Sequence, residues 1–110
     1  MTTASLIDIG TLIESIPGVY GGRPRLARSG LPIIQLVAEI RGGRTIQEII
    51  DAYELDEESG YVGLAFYLAN KAALDQDLDE RNELGRKMAE EARPAQLELQ
   101  KRLREKHRSP

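Results

Sequence analysis

The apolar residues between positions 31 and 70 predict three short helices joined by tight turns. In the first helix they recur at intervals of three and four residues, which places them on one face. These residues are Ile33, Leu36, Val37 and Ile40. Gly42-Gly43 follows directly and supplies the left-handed conformation in which a helix commonly ends. We therefore predict that the first helix stops at these two glycines.

The second and third helices each begin at a recognisable N-terminal cap. Thr45 and Glu48 match a capping box, in which each side chain satisfies one free backbone N–H. Asp56 is a favourable cap for a third helix, which we expect to run to about Asn70. The pattern is helix, glycine turn, helix, short turn and helix, as in helix-turn-helix proteins.

The third predicted helix is apolar nearly all the way round, which is typical of a helix that is buried on more than one side. Its apolar residues are Tyr61, Val62, Leu64, Ala65, Phe66, Tyr67, Leu68 and Ala69. A helix that reads base edges in DNA needs polar donors, and this one has few. We expect it to face a dimer mate or another protein, with Tyr61 and Tyr67 among the contacts.

Two extended segments precede these helices. Residues 11–16 end at Pro17-Gly18, and residues 25–28 follow a second glycine pair, which together indicate a short β-hairpin or paired arm. Two such short strands are marginal alone, so we expect them to pack on the helices.

The chain becomes strongly helical in composition from Asp75, and its apolar residues again follow one face. These residues are Leu84, Met88, Ala92, Ala95, Leu99 and Leu103. Pro94 interrupts them and is predicted to kink or divide the helix, because proline removes one backbone hydrogen bond. The sequence thus predicts an N-terminal arm plus helix-turn-helix domain over residues 1–74 and a C-terminal helical tail over residues 75–110.

This amphipathic tail is surrounded by basic side chains and suits a groove on another protein. Packing back on its own domain is the alternative. The predicted partner contacts of the tail are Leu84, Met88, Leu99, Arg102 and Leu103.

Composition narrows the class of protein. The chain has 110 residues, of which 41% are apolar and none is cysteine, so one small domain with a tail is expected, without disulfides or thiolate metal sites. The apolar stretch over residues 31–38 is too short to cross a membrane. A soluble, cytoplasmic protein is the default expectation.

Charge is distributed unevenly along the chain. Residues 17–47 hold five arginines against one glutamate, residues 48–83 hold eleven acids against two bases, and residues 84–110 hold eight bases against four acids. The net charge of −3 therefore conceals a basic first part, an acidic middle and a basic tail.

The arginines of the first part are candidates for DNA contact, because phosphates favour arginine and a helix N-terminus at Thr45 presents N–H groups. The set is Arg23, Arg25, Arg28, Arg41, Arg44 and Thr45. A solvated charged face is the alternative explanation.

Catalytic and metal-binding motifs are weak. Asp75, Asp77 and Asp79 alternate like the start of a calcium loop, but Glu80 and Arg86 occupy the positions of its required glycine and glutamate. The single histidine, His107, has no second ligand nearby in sequence. We predict no enzyme activity, no cofactor and no metal.

Three segments carry a family resemblance. Residues 21–28 (GGRPRLAR), 31–33 (LPI) and 43–49 (GRTIQEI), extended by Tyr53 and Leu55, resemble the family known as domain of unknown function 433 over about residues 13–67. Members are similar to VapB-type antitoxins. The resemblance implies a homeodomain-like trihelical helix-turn-helix fold, a PIN-like ribonuclease as toxin partner, and repression of the operon's own promoter.

The sequence departs from the family pattern at two places. Arg28-Ser29-Gly30-Leu31 stands where members usually carry Arg-Gly-Thr-Arg, so one basic residue of the arm is missing, and Glu54 replaces a usual proline. The leading hypothesis is a dimeric antitoxin whose basic tail reaches the acidic, metal-binding pocket of the nuclease. A stand-alone DNA-binding regulator and a non-catalytic oligomerisation adaptor are the alternatives.

Overall fold

The computed structural model describes residues 6–108 and divides into two units, the first ending at Leu78 and the second beginning at Asp79. The sequence placed this boundary after residue 74. Leu74 and Leu78 account for the difference, because both are buried in the core of the first unit.

The first unit contains the three predicted helices, α1 (Ile33–Arg41), α2 (Ile46–Tyr53) and α3 (Glu57–Ala69). Both predicted caps are present: Thr45 and Glu48 form the capping box of α2, and the Asp56 side chain accepts from the backbone of α3. The mainly helical fold is thereby confirmed. Its likeness to a homeodomain stays a prediction.

The N-terminal arm is a two-stranded antiparallel sheet of β1 (Ile13–Glu14) and β2 (Arg25–Leu26). Short 3-10 turns, Ile9–Leu12 and Tyr20–Gly22, precede each strand. The strands are shorter than the predicted extended segments. The Asp8 carboxylate accepts from the amide of Gly10 and so closes the first turn, which draws residues 11 and 12 out of the strand.

Apolar side chains from β2 and all three helices form the core of the first unit. Its fully buried members include Leu26, Ile33, Leu36, Val37 and Ile49. Two glycines let α3 lie close to the other helices. A Cβ atom at Gly60 would lie 2.5 Å from Cγ1 of Ile50, and one at Gly63 would lie 2.8 Å from Cδ1 of Leu36.

The last helix, α4 (Lys71–Arg108), begins in the first unit and forms the described part of the second. It is 38 residues long and continues through Pro94, so the proline does not divide it. The predicted kink at that residue stays a prediction. No helix among residues 6–108 is both long and apolar enough to span a membrane.

Candidate partner-binding surfaces

The arginines predicted to contact DNA all bind groups of their own chain. Arg25 is paired with Glu14 across the small sheet, at 2.9 Å between Nη2 and Oε1. Arg23 reaches Asp77 in the first turns of α4, at 3.0 Å between Nη2 and Oδ1. These pairs tie the arm to itself and to α4.

Arg28 joins the arm to the N-terminus of α3. Its Nη1 atom lies 2.7 Å from Oδ2 of Asp56 and 2.7 Å from Oε1 of Glu58. The hydroxyl of Ser59, which is fully buried, donates to the same Asp56 oxygen at 2.7 Å. These donors, with the Ser59 hydrogen bond the largest contribution, lower the pKa of Asp56 below its ordinary value of 3.8.

The remaining two arginines lie at the end of α1 and in the turn that follows it. Arg44 is paired with Glu39, at 3.1 Å between Nε and Oε2, and Glu39 also accepts from the hydroxyl of Tyr53 at 2.9 Å. Arg41 donates to the backbone carbonyl of Asp75 at 3.4 Å.

Thr45 shares its turn with Arg44. Its hydroxyl accepts from the amide of Glu48, and its own amide donates to the Glu48 carboxylate. The capping box therefore occupies groups at the N-terminus of α2 that were expected to face a phosphate. The six predicted DNA contacts thus have structural partners, and whether they bind DNA stays a prediction.

Tyr67 was expected to contact a partner, but the structure places it in the core with 3% of its surface exposed. Its hydroxyl donates to Oδ1 of Asp75 at 2.6 Å, and Lys71 pairs with Oδ2 of the same carboxylate at 2.7 Å. The hydrogen bond to Asp75 raises the pKa of Tyr67. Tyr67 therefore joins α3 to the start of α4 within the first unit. The alternating aspartates 75 and 77 serve in ion pairs rather than in a calcium loop.

The opposite side of α3 borders an apolar groove. The groove has a volume of about 480 Å³ and lies between α3 and the N-terminal turn. Its lining residues are Ile9, Gly10, Ile13, Val62, Ala65, Phe66 and Ala69. Tyr61, the other predicted contact on α3, is 45% exposed. This face is available to another protein.

In the second unit, the predicted apolar face of α4 is exposed. The large side chains concerned are Leu84, Met88, Leu99 and Leu103, between 49% and 59% exposed. Arg102, beside them, lies 3.5 Å from Glu98 between Nε and Oε1. The five predicted tail contacts thus share one helix and are accessible.

Basic side chains of the second half of α4 differ from the arginines of the first unit. Among residues 6–107, no carboxylate lies within ion-pairing distance of four of them: Arg93, Lys101, Arg104 and Lys106. At about 100° per residue, Arg93, Lys101 and Arg104 lie on the side of the helix opposite the apolar stripe. Within the described chain, no group of three or more His, Cys, Asp or Glu side chains could hold a metal ion.

Sequence reasoning missed two features of these surfaces. The contribution of Ile9 and Ile13 to the groove beside α3 depends on how the arm folds over that helix, for which the sequence has no local signal. Leu97 is 53% exposed and lies outside the apolar stripe. Counting about 100° per residue along the helix could have shown that Leu97 lies on the side opposite the stripe.

Comparison with known proteins places residues 13–67 in one family, described as protein of unknown function (DUF433). No curated protein matches the chain. A crystal structure of a DUF433 member protein from Anabaena variabilis ATCC 29413 is similar, with 27% sequence identity and a TM-score of 0.56. The similarity covers 63% of this chain and 69% of that one. Since the family covers half of its residues, this protein belongs to the DUF433 family, whose function is unknown.

Proposed function

We propose that this protein is the antitoxin of a type II toxin–antitoxin pair and that it inhibits a PIN-like ribonuclease through the second half of α4. The observation that carries the proposal is the set of four cations on that half with no ion-paired carboxylate among residues 6–107, three of them on the side opposite the exposed apolar stripe. A row of cations on one side of a helix presents charges for an acidic site on a partner. The resemblance to VapB-type antitoxins supplies the class of partner.

The inhibition follows from the chemistry of the nuclease site. A PIN-like nuclease holds its catalytic metal with carboxylates, and an inserted lysine or arginine neutralises the same carboxylates. Within the part of the chain that the structure describes, Arg93, Lys101 and Arg104 have no ion pair to break first, so their charges are available for this role. Inhibition by this route needs no chemistry from the antitoxin.

A stand-alone DNA-binding regulator is the second candidate, and the geometry favours it less. Its five arginines already hold the arm, α1, α3 and α4 together. If these arginines turned toward DNA phosphates, they would lose their ion pairs and hydrogen bonds within the fold. Binding to the gene's own upstream DNA should therefore be weak and should fall steeply with salt, which a titration at several salt concentrations measures.

Inhibition assays with the product of the neighbouring gene test the antitoxin proposal. We expect that gene to encode a PIN-like nuclease and the full chain to stop its RNA cleavage at a one-to-one ratio. A chain that ends at Asp79 should not inhibit, even in excess, and its thermal unfolding shows whether the first unit remains folded. Full inhibition by the shortened chain, or a neighbouring product without nuclease activity, would contradict the proposal.

A further inference from the structure

The apolar stripe of α4 has the same order of spacings and side-chain sizes whether it is followed from its N-terminal or from its C-terminal end. Its spacing is four, four, three, four and four residues, and its side chains run large, large, small, small, large, large. The positions are Leu84, Met88, Ala92, Ala95, Leu99 and Leu103. Reversing the helix about the point between Arg93 and Pro94 therefore superposes the whole stripe on itself.

This spacing also keeps the stripe on one side of a straight helix. It repeats every eleven residues, which is close to three turns of an α-helix, so the stripe drifts by only about 20° per repeat. From Leu84 to Leu103 it is about 28 Å long at 1.5 Å per residue. A second helix laid along it contacts the stripe over that whole length.

Charge along α4 selects the direction of such a second helix. Residues 79–91 carry five acids and three bases, a net charge of −2, whereas residues 96–108 carry five bases and two acids, a net charge of +3. In net charge, an antiparallel pair of copies brings the acidic half of each alongside the basic half of the other, although Arg81 and the partner's Lys106, both on the line of the stripe, then face each other. A parallel pair would bring like charges together.

We propose that α4 pairs antiparallel with α4 of a second copy of this chain, about a two-fold axis between Arg93 and Pro94. Leu84 then packs against the partner's Leu103, and Met88 packs against the partner's Leu99. Ala92 meets the partner's Ala95 at the centre, where small side chains let the two backbones approach closely. This pairing does not depend on the proposed function, and it leaves the basic side of each helix facing outward.

Sedimentation equilibrium of the purified full chain, alone, tests the pairing. We expect a dimer whose dissociation constant rises by roughly 100-fold or more in Leu99→Asp, because the change places a carboxylate in both copies of the apolar contact. Leu97→Asp is the matched control. Leu97 is 53% exposed against 57% for Leu99, but it lies about 170° from the middle of the stripe. A monomeric chain, or equal effects of the two variants, would overturn the proposal.

Disulfide crosslinking tests the direction without weakening the contact elsewhere, because the chain has no cysteine of its own. We expect Leu84→Cys mixed with Leu103→Cys to form a crosslinked dimer on oxidation, whereas each variant alone should not. Crosslinking of each variant alone would mean a parallel pair and would overturn the antiparallel arrangement. A dimer that forms no crosslink in the mixture would assign dimerisation to another surface, such as the groove on α3, and would also overturn it.

Discussion

Asp56 joins three parts of the first unit through one carboxylate. It caps α3, accepts the buried hydroxyl of Ser59 and pairs with Arg28 of the arm. These contacts favour its ionised form, so its pKa is lower in the folded state than in the unfolded chain. Hydrogen bonds lower the pKa of Glu48 and Asp75 in the same way.

The sign of this shift predicts loss of stability in acid. A lowered folded-state pKa gives stabilisation that is complete above the ordinary value of 3.8 and is lost as pH falls through the folded-state value. We expect Asp56→Asn, which keeps a good N-cap, to reduce both the free energy of unfolding at pH 7 and its decline below pH 4. Denaturant unfolding at a series of pH values measures both quantities.

Asp51→Asn is the control for that series, since it removes an exposed aspartate that accepts from Gln47 within α2. It should leave the steepness of the acid decline unchanged. An Asp56→Asn chain as sensitive to acid as the parent chain would show that the shift at this carboxylate contributes nothing to stability.

Residue roles were predictable where the partner is close in sequence. The Thr45 and Glu48 capping box and the Asp56 cap follow from residues three positions apart, and the structure contains both. The partners of the arginines were not predictable, because Arg23 and Asp77 are 54 positions apart. Only the folded chain brings such residues together.

At the scale of elements, α3 depends on small residues to pack against α2. We predict that Gly60→Ala lowers the free energy of unfolding by about 1–3 kcal/mol, because the new methyl group overlaps Ile50. Gly85→Ala in α4 should instead raise it by up to about 1 kcal/mol, because alanine favours a helix and nothing lies within 4 Å of its methyl group. Equal effects of the two substitutions on denaturant unfolding would contradict this packing.

Elements with a regular apolar spacing were the ones predicted correctly. Helices α1 and α2 and the apolar face of α4 follow from intervals of three and four residues, whereas α3 was predicted from its Asp56 cap and its apolar composition. The strands of the arm were predicted too long, since the hydrogen bond of Asp8 competes with extended structure there. Tyr67 was misplaced because a helix that is apolar all round does not indicate which side meets the core.

At the scale of the whole molecule, the basic side chains of the two units differ in whether they form ion pairs. The arginines of the first unit stabilise its fold, whereas four basic residues of the second half of α4 have no carboxylate partner among the described residues: Arg93, Lys101, Arg104 and Lys106. The net charge of each sequence segment did not distinguish the arginines that form ion pairs from the cations that do not. The distinction requires the positions of the carboxylates in the folded chain, and it directs the functional proposal to α4.

Calorimetric titration of the neighbouring nuclease with two matched double variants tests the central claim, that the second half of α4 binds the nuclease by charge. Lys101→Glu/Arg104→Glu and Arg81→Glu/Lys87→Glu each reverse one lysine and one arginine on the same helix. We expect the first pair to raise the dissociation constant by roughly 30-fold or more, as for charges paired in an interface. The second pair should change it by less than about threefold, as for exposed charges. Equal effects of the two pairs, or no effect of the first, would contradict the claim.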